Sequence, residues 1–154
     1  MSKILEHILL DFLQAGEVAD DHQFGFKKHH STTLCTQVLK QTVKYYTTRG
    51  SHVFSCFIDF KKAFDTVDYW HLFTKLIDAG MSRTIIELLS YWYCNQTMCV
   101  KWQNGLSDAF YIKNGVRQGS LLSPFLFRFY VRDLIKMTVS SRIGCNIGGT
   151  FINL

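Results

Sequence analysis

Apolar residues recur every three or four positions in five stretches of the chain, which predicts five helices. Serine or aspartate stands at the start of each stretch, where a short polar side chain can cap a helix, and Asp68 is the cap expected for the third. Glycine ends several of them. The predicted helices run from Ser2 to Gly16, from Ser31 or Thr32 to about Gly50, over residues 69–78, from Ser82 through Trp92, and from Ser123-Pro124 to about Val139.

Three other segments have the pattern of strands. Val53–Phe60 is short, aromatic and β-branched, with apolar residues on both faces, which is typical of a central buried strand. Residues 97–102 and 108–113 indicate a hairpin about Asn104-Gly105. Arg142 to Leu154 indicates two short strands around Gly148-Gly149, the second of them unfinished. This mixture predicts an α+β fold in which an antiparallel sheet packs on helices.

The net charge of the chain indicates one class of binding partner. The 154 residues carry a formal net charge of +5 and favour an anionic partner, although an ordinary basic enzyme fits the charge equally well. The charged residues among positions 1–22 are mainly acidic, whereas residues 23–62 contain seven lysines and arginines and one acidic residue, Asp59. The five cysteines lack paired spacing, and His22, His29 and His30 lack further ligands, so neither set predicts a metal site. No signal peptide or membrane span is expected, and the chain is predicted to be intracellular, in the nucleus or cytoplasm.

Asp59 is the most distinctive candidate for chemistry, because it interrupts the end of the predicted buried strand. Burying a lone carboxylate is costly, and a strand end facing a cleft is a common place for an aspartate that binds a metal ion. Alternatively, Asp59 faces solvent or caps the following turn.

A second motif lies at Asn114–Pro124, where a loop containing two glycines enters the last helix. Gly115 and Gly119 permit backbone geometries and close approach that a β-carbon would block. Arg117 could meet a phosphate, and Gln118 could hydrogen-bond a base edge or a sugar. The alternative is a plain loop with a helix cap.

Together these motifs resemble the reverse transcriptase domain of non-LTR retrotransposons, and the similarity covers essentially the whole chain. Other members of the polymerase superfamily, namely intron-encoded maturases and telomerase, are the alternatives. One residue departs from the resemblance, because many relatives carry asparagine at the position of Arg128. Three blocks match in order: Gln23–Phe26 with Lys27, Lys28, Ser31 and Thr32; Phe57–Asp59 through Ala63–Asp68; and Gly115–Pro124 with Phe125-Leu126-Phe127.

The resemblance implies a polymerase palm with part of the fingers, and it assigns roles to particular residues. Asp59 would be the catalytic metal-ligand carboxylate, with the Phe60 main-chain carbonyl assisting it. Phe64 would be the steric gate that prefers dNTP to NTP, although simple core packing is the alternative for its ring. The nucleotide pocket would be lined by Arg117, Gln118, Gly119 and Ser120, and the template would be contacted by Phe24, Gly25, Phe26, Lys27 and Lys28.

The same resemblance implies an RNA template, a DNA primer and dNTP as partners and two Mg²⁺ ions as cofactors, roughly 3.5–4 Å apart. The family takes its other carboxylates from a Tyr-Ala-Asp-Asp box, which this sequence does not contain. We therefore expect residues 1–154 to be a reverse transcriptase domain truncated at both ends, with 1–52 a fingers and palm segment and 53–154 a palm segment that ends before the Asp-Asp hairpin. Alone it is expected to be inactive; the alternative function is a non-catalytic relic or RNA-binding fragment.

Overall fold

The computed structural model describes residues 3–15, 22–27 and 30–153 of the chain. They form an α+β fold, as the sequence pattern predicts. The elements in chain order are α1 Lys3–Ala15, α2 Thr32–Thr47, α3 Tyr69–Asp78, α4 Arg83–Cys94, β1 Thr97–Met98, β2 Lys101–Trp102, β3 Gly105–Leu106, β4 Phe110–Tyr111, α5 Ser123–Ser140, β5 Cys145–Ile147 and β6 Thr150–Ile152.

All five predicted helices are present, and two of the expected caps form hydrogen bonds. The Ser31 hydroxyl accepts the Leu34 N–H at 3.1 Å before α2, and the Asp68 carboxylate accepts the His71 N–H at 2.7 Å before α3. Ser82 precedes α4, but its side chain makes no capping bond. The expected start and stop of the first helix, Ser2 and Gly16, lie outside the described residues.

Each described strand pairs with one antiparallel partner, which gives three two-stranded ladders in place of one larger sheet. β1 pairs with β4 and β2 with β3, so the predicted hairpin exists. Its turn, however, lies at Gln103-Asn104, because Gly105 is paired with Trp102. Gln103 adopts a φ of 50° there. β5 and β6 pair around Gly148-Gly149, as expected.

The predicted central strand at Val53–Phe60 is wrong. None of the three ladders includes this segment, and Phe54, Phe57 and Ile58 are 96%, 80% and 66% exposed. A buried strand requires hydrogen-bonded neighbours and covering layers, which its own sequence cannot supply.

Two compact units make up the chain. The first comprises residues 1–17 and 62–130 and the second 18–61 and 131–154, so α5 begins in one and ends in the other. These limits differ from a division at residue 52, and the fingers and palm assignment stays a prediction. No described helix has both the length and the apolar character needed to cross a bilayer.

The hydrophobic core described here lies in the first unit, where α1, α3, α4 and the start of α5 bury their apolar stripes together. Its fully enclosed side chains include Leu13, Leu72, Leu89 and Leu126. An edge-to-face contact between Tyr69 and Tyr93, with ring centroids 5.3 Å apart, joins α3 to α4. The same core includes Val116 and Leu122 from the segment that precedes α5.

Candidate functional site

Two motifs that are distant in sequence contact each other in the first unit. The Gly115 N–H donates to the Val67 carbonyl at 2.8 Å, and the Val116 N–H donates to the Phe64 carbonyl at 2.7 Å. These bonds attach the loop at residues 114–120 to the turn at residues 64–67. The structure therefore brings the predicted gate residue and the predicted nucleotide loop together.

Gly115 makes this contact possible. Its φ is +89°, a conformation that side chains with a β-carbon rarely adopt. A β-carbon at Gly115 would lie 2.9 Å from the Asp65 carbonyl oxygen and 3.0 Å from the Asp65 Cα, both of which belong to the backbone. The close approach expected at this glycine is confirmed.

Phe64 lies half-buried beside the loop. Its ring packs against Phe127 of α5, with centroids 5.3 Å apart and planes inclined at 54°. The ring thus contributes to packing and keeps a partly exposed side. This position agrees with both sequence interpretations, a gate and a packing residue, and the role of Phe64 stays a prediction.

Arg117, Gln118 and Gly119 are exposed at the tip of the loop. The Gln118 amide donates from Nε2 to Asp65 Oδ1 at 3.3 Å, which links the tip to the turn after Phe64. Ser120 is buried instead, and its hydroxyl accepts the Leu122 N–H at 3.2 Å. Ser120 consequently shapes the backbone, while the Arg117 and Gln118 side chains are exposed to solvent.

The end of the loop nearest α5 is attached to the buried residue Ser123. The Ser123 hydroxyl donates to the Arg117 carbonyl at 2.5 Å. Burial raises the pKa of the nearby Tyr93 hydroxyl well above its usual range; Tyr69 raises it further, and an interaction with Ser123 opposes the shift. Tyr93 is therefore a neutral hydroxyl at physiological pH.

Sequence reasoning missed Glu6. This glutamate of α1 is 3% exposed, and its Oε2 accepts the Leu121 N–H at 2.8 Å. The signal was available, because Glu6 lies on the same helical stripe as Leu9 and Leu13, which are both buried. A carboxylate on an apolar stripe requires a partner from elsewhere in the fold.

The remaining predicted residues lie in the second unit. Asp59 and Phe60 are exposed, in the segment that forms no strand. Phe24 is half-buried and packs on His30, with ring centroids 5.5 Å apart, and Phe26 is exposed with a φ of 55°. Gly25 and Lys27 are half-buried, whereas Lys28 lies outside the described residues.

The comparison with known families identifies the family to which these motifs belong. The model of the family described as reverse transcriptase (RNA-dependent DNA polymerase) matches residues 1–148. This chain belongs to the reverse transcriptase family. The match includes all of the predicted site residues, so the two motifs joined in the first unit are parts of one reverse transcriptase domain.

The curated relatives place the chain among non-LTR retrotransposon reverse transcriptases. It is 28% identical over 146 residues, 91% of its length, to a probable RNA-directed DNA polymerase from transposon X-element of Drosophila melanogaster. It is 30% identical over 87% of its length to the corresponding protein from transposon BS of the same species. The aligned regions are 16% and 15% of those relatives, so the chain spans about a sixth of their length.

Reverse transcriptases depend on divalent metal ions, so the donor set can be tested for fit. Within the described ranges, no three His, Cys, Asp or Glu side chains lie close enough to hold an ion together. Asp59, the predicted ligand, would supply one carboxylate, and a site for two hydrated divalent ions requires several. The described residues therefore do not fit a two-metal centre by themselves.

Proposed function

We propose that this chain is the part of an RNA-directed DNA polymerase that selects the incoming nucleotide and contributes one metal-ligand carboxylate. The observation that supports this function is the double backbone hydrogen bond between residues 64–67 and the loop at 115–116. It unites the two motifs that a reverse transcriptase needs around a dNTP. The reaction is attack of a primer 3′-OH on the α-phosphate of a dNTP, directed by an RNA template; a phosphodiester bond forms, the bond between the α- and β-phosphates breaks, and pyrophosphate leaves.

In the first unit, Phe64 is the steric gate. A bulky ring beneath the incoming sugar excludes a 2′-hydroxyl by collision, so the pocket prefers dNTP to NTP. Arg117 binds a phosphate through its fixed cationic fork, and Gln118 hydrogen-bonds the base edge or sugar. Gly119 and Ser120 give the loop the backbone shape that exposes these two side chains.

In the second unit, Asp59 is the metal ligand and the Phe60 carbonyl assists it. Residues 24–28 contact the template, with Phe24 and Phe26 offering aromatic surfaces and Lys27 and Lys28 offering positive charge to phosphates. Residues 1–52 correspond to fingers and adjoining palm, and 53–154 to palm. Two Mg²⁺ ions, when bound, would stabilise the attacking and leaving oxygens.

Because Asp59 is the one carboxylate of the chain assigned to the metal site, the purified 154-residue chain should not extend a primer by itself. The assay is incorporation of labelled dNTPs on an RNA template in Mg²⁺, beside an Asp59→Ala variant. Incorporation that the variant abolishes would show that the chain completes a metal site, and would refute the expectation of inactivity.

Nucleotide selection tests the function more directly. We expect the chain to bind dGTP more tightly than GTP, because of the ring at position 64, and Phe64→Ala to bring the two dissociation constants close together. Phe110→Ala, which removes an exposed aromatic side chain from β4, is the matched control and should leave the ratio unchanged. Equal affinities for the two nucleotides in the wild-type chain would contradict the gate.

RNA binding without catalysis is a second candidate, and the composition of α2 favours it. This helix has no acidic residue and exposes Lys40 and Lys44. Beyond its end the Arg49 guanidinium lies 3.7 Å from the centre of the Tyr45 ring. A helix that exposes cations beside aromatic rings is suited to single-stranded nucleic acid.

Salt dependence tests this binding. For single-stranded RNA, the slope of log K against log salt should be negative, and Lys40→Gln with Lys44→Gln should reduce its magnitude by about 1.4, at roughly 0.7 for each phosphate contact. Lys101→Gln with Lys113→Gln removes the same charge from exposed positions in the first unit and is the control. A flat salt profile would argue against the binding surface.

A further inference from the structure

We propose that Glu6 is a positioning residue for the nucleotide loop, holding Leu121 so that Arg117 and Gln118 are presented at a fixed place. For its effect on nucleotides this inference rests on the proposed function; for its effect on the loop it does not. The geometry behind it is the 2.8 Å hydrogen bond from the Leu121 N–H to Glu6 Oε2, which joins residues 115 positions apart.

Burial makes this bond strong. Glu6 is 3% exposed, and a carboxylate removed from water is stable only with donors directed at it. A hydrogen bond from an amide to an ionised carboxylate is roughly twice as strong as one between neutral groups. The first turn of α1 also favours the negative charge, because the helix dipole is positive there. The Glu6 carboxylate is therefore held at one position, and its hydrogen bond holds the Leu121 amide beside it.

Three described attachments hold the backbone of the loop, and Glu6 supplies the one from α1; the Gln118 side chain adds its own bond to Asp65 at the tip. Gly115 and Val116 fix its beginning through backbone bonds to the turn after Phe64. Ser123 holds the Arg117 carbonyl from the start of α5. Without Glu6, Leu121 would lose the bond that holds the stretch between Ser120 and the helix, while the other two attachments remain. Glu6 acts through Leu121 and does not itself reach the exposed loop tip.

Three variants separate positioning from general stability. Glu6→Ala removes the acceptor, and Glu6→Gln keeps a neutral carbonyl oxygen that can still accept the bond. Asp11→Ala removes an exposed acid from the same helix and is the matched control. In Glu6→Ala, amide exchange at Leu121 should become about 10- to 100-fold faster, as expected when a buried donor loses its partner. Glu6→Gln should restore most of the protection, and Asp11→Ala should match the wild type.

The NMR signal of the Leu121 amide gives a second readout, since a bond to a carboxylate moves an amide proton downfield. The signal should move upfield in Glu6→Gln, and this comparison holds even where Glu6→Ala fails to fold. Unchanged Leu121 shift and exchange in every folded Glu6 variant would overturn the proposal.

Titration with dGTP and Mg²⁺, followed at the Gln118 side-chain amide, tests the consequence for the ligand. Affinity should fall at least tenfold in Glu6→Ala and recover in Glu6→Gln. Unchanged affinity in a variant whose Leu121 amide has been released would overturn the positioning role. Should the wild type bind no dGTP while Leu121 responds as expected, the loop attachment is supported and the proposed function fails.

Discussion

Gly115→Ala tests the contact between the two motifs. The variant places a β-carbon 2.9 Å from the Asp65 carbonyl oxygen and 3.1 Å from that of Phe64. Both atoms belong to the backbone of a turn that packs on the core, so neither can rotate away as a flexible side chain would. The loop must therefore move off the turn or the turn must distort.

Gly119→Ala provides the reference for the magnitude. Gly119 also has a positive φ, +79°, but a β-carbon there would meet nothing within 4 Å. The left-handed backbone costs an alanine about 1–2 kcal/mol at either position. Overpacking against fixed backbone adds about 1–3 kcal/mol at Gly115 alone. Gly115→Ala should thus destabilise the protein by about 2–5 kcal/mol and Gly119→Ala by about 1–2 kcal/mol.

Urea unfolding followed by tryptophan fluorescence measures the difference. The three tryptophans, Trp70, Trp92 and Trp102, all lie in the first unit, so the signal reports the unit that contains the loop. Any gain from restricting the unfolded chain is the same for both glycine-to-alanine changes and cancels in the comparison. Equal losses of unfolding free energy in the two variants, within about 0.5 kcal/mol, would refute the close approach.

Three further outcomes follow from individual contacts. Asp68→Ala should lower the free energy of unfolding by about 1 kcal/mol in the same assay, because α3 loses its cap, while Asp68→Asn should cost less. The pKa of Tyr93 is raised by burial, so its contribution to stability is complete below about pH 10 and is lost as the pH rises further, by up to about 1.4 kcal/mol per pH unit; Tyr93→Phe should flatten that loss in alkaline urea titrations. Hydrogen exchange should be fast at the Ile58 and Asp59 amides and slow at Gly115, since only the last donates to a described backbone carbonyl.

Local interactions explain which elements the sequence could predict. The Ser31 and Asp68 caps each bond an N–H three residues away, so their pattern is complete within a few residues. The hairpin was also predictable, but its turn was misplaced by one residue because the Asn-Gly preference competed with the pairing of Gly105 to Trp102. Short-range interactions thus predict the presence of a helix or hairpin more reliably than they predict its first and last residues.

The site, in contrast, depends on contacts between residues that are distant in sequence. Family motifs identified the loop and Phe64, but no local rule connects Glu6 to Leu121, since that bond requires α1 and the segment before α5 to share one core. The same reason accounts for the strand wrongly expected at Val53–Phe60. Its apolar pattern describes what the segment can bury, whereas strand formation depends on a neighbour with free backbone groups.

The two halves of the proposed polymerase chemistry consequently differ in how they become ordered. A metal-binding carboxylate must be held within about 0.5 Å of its working position. The nucleotide loop meets such a demand through bonds at both ends and the close approach of Gly115. The Asp59 segment instead exposes Phe54 and Phe57, and full burial of each such side chain stabilises a fold by about 1.5–3 kcal/mol. The described fold does not realise this gain, so the packing that holds the loop does not hold Asp59. The core therefore fixes the nucleotide loop, whereas no described strand pairing or backbone hydrogen bond fixes Asp59, the proposed metal ligand.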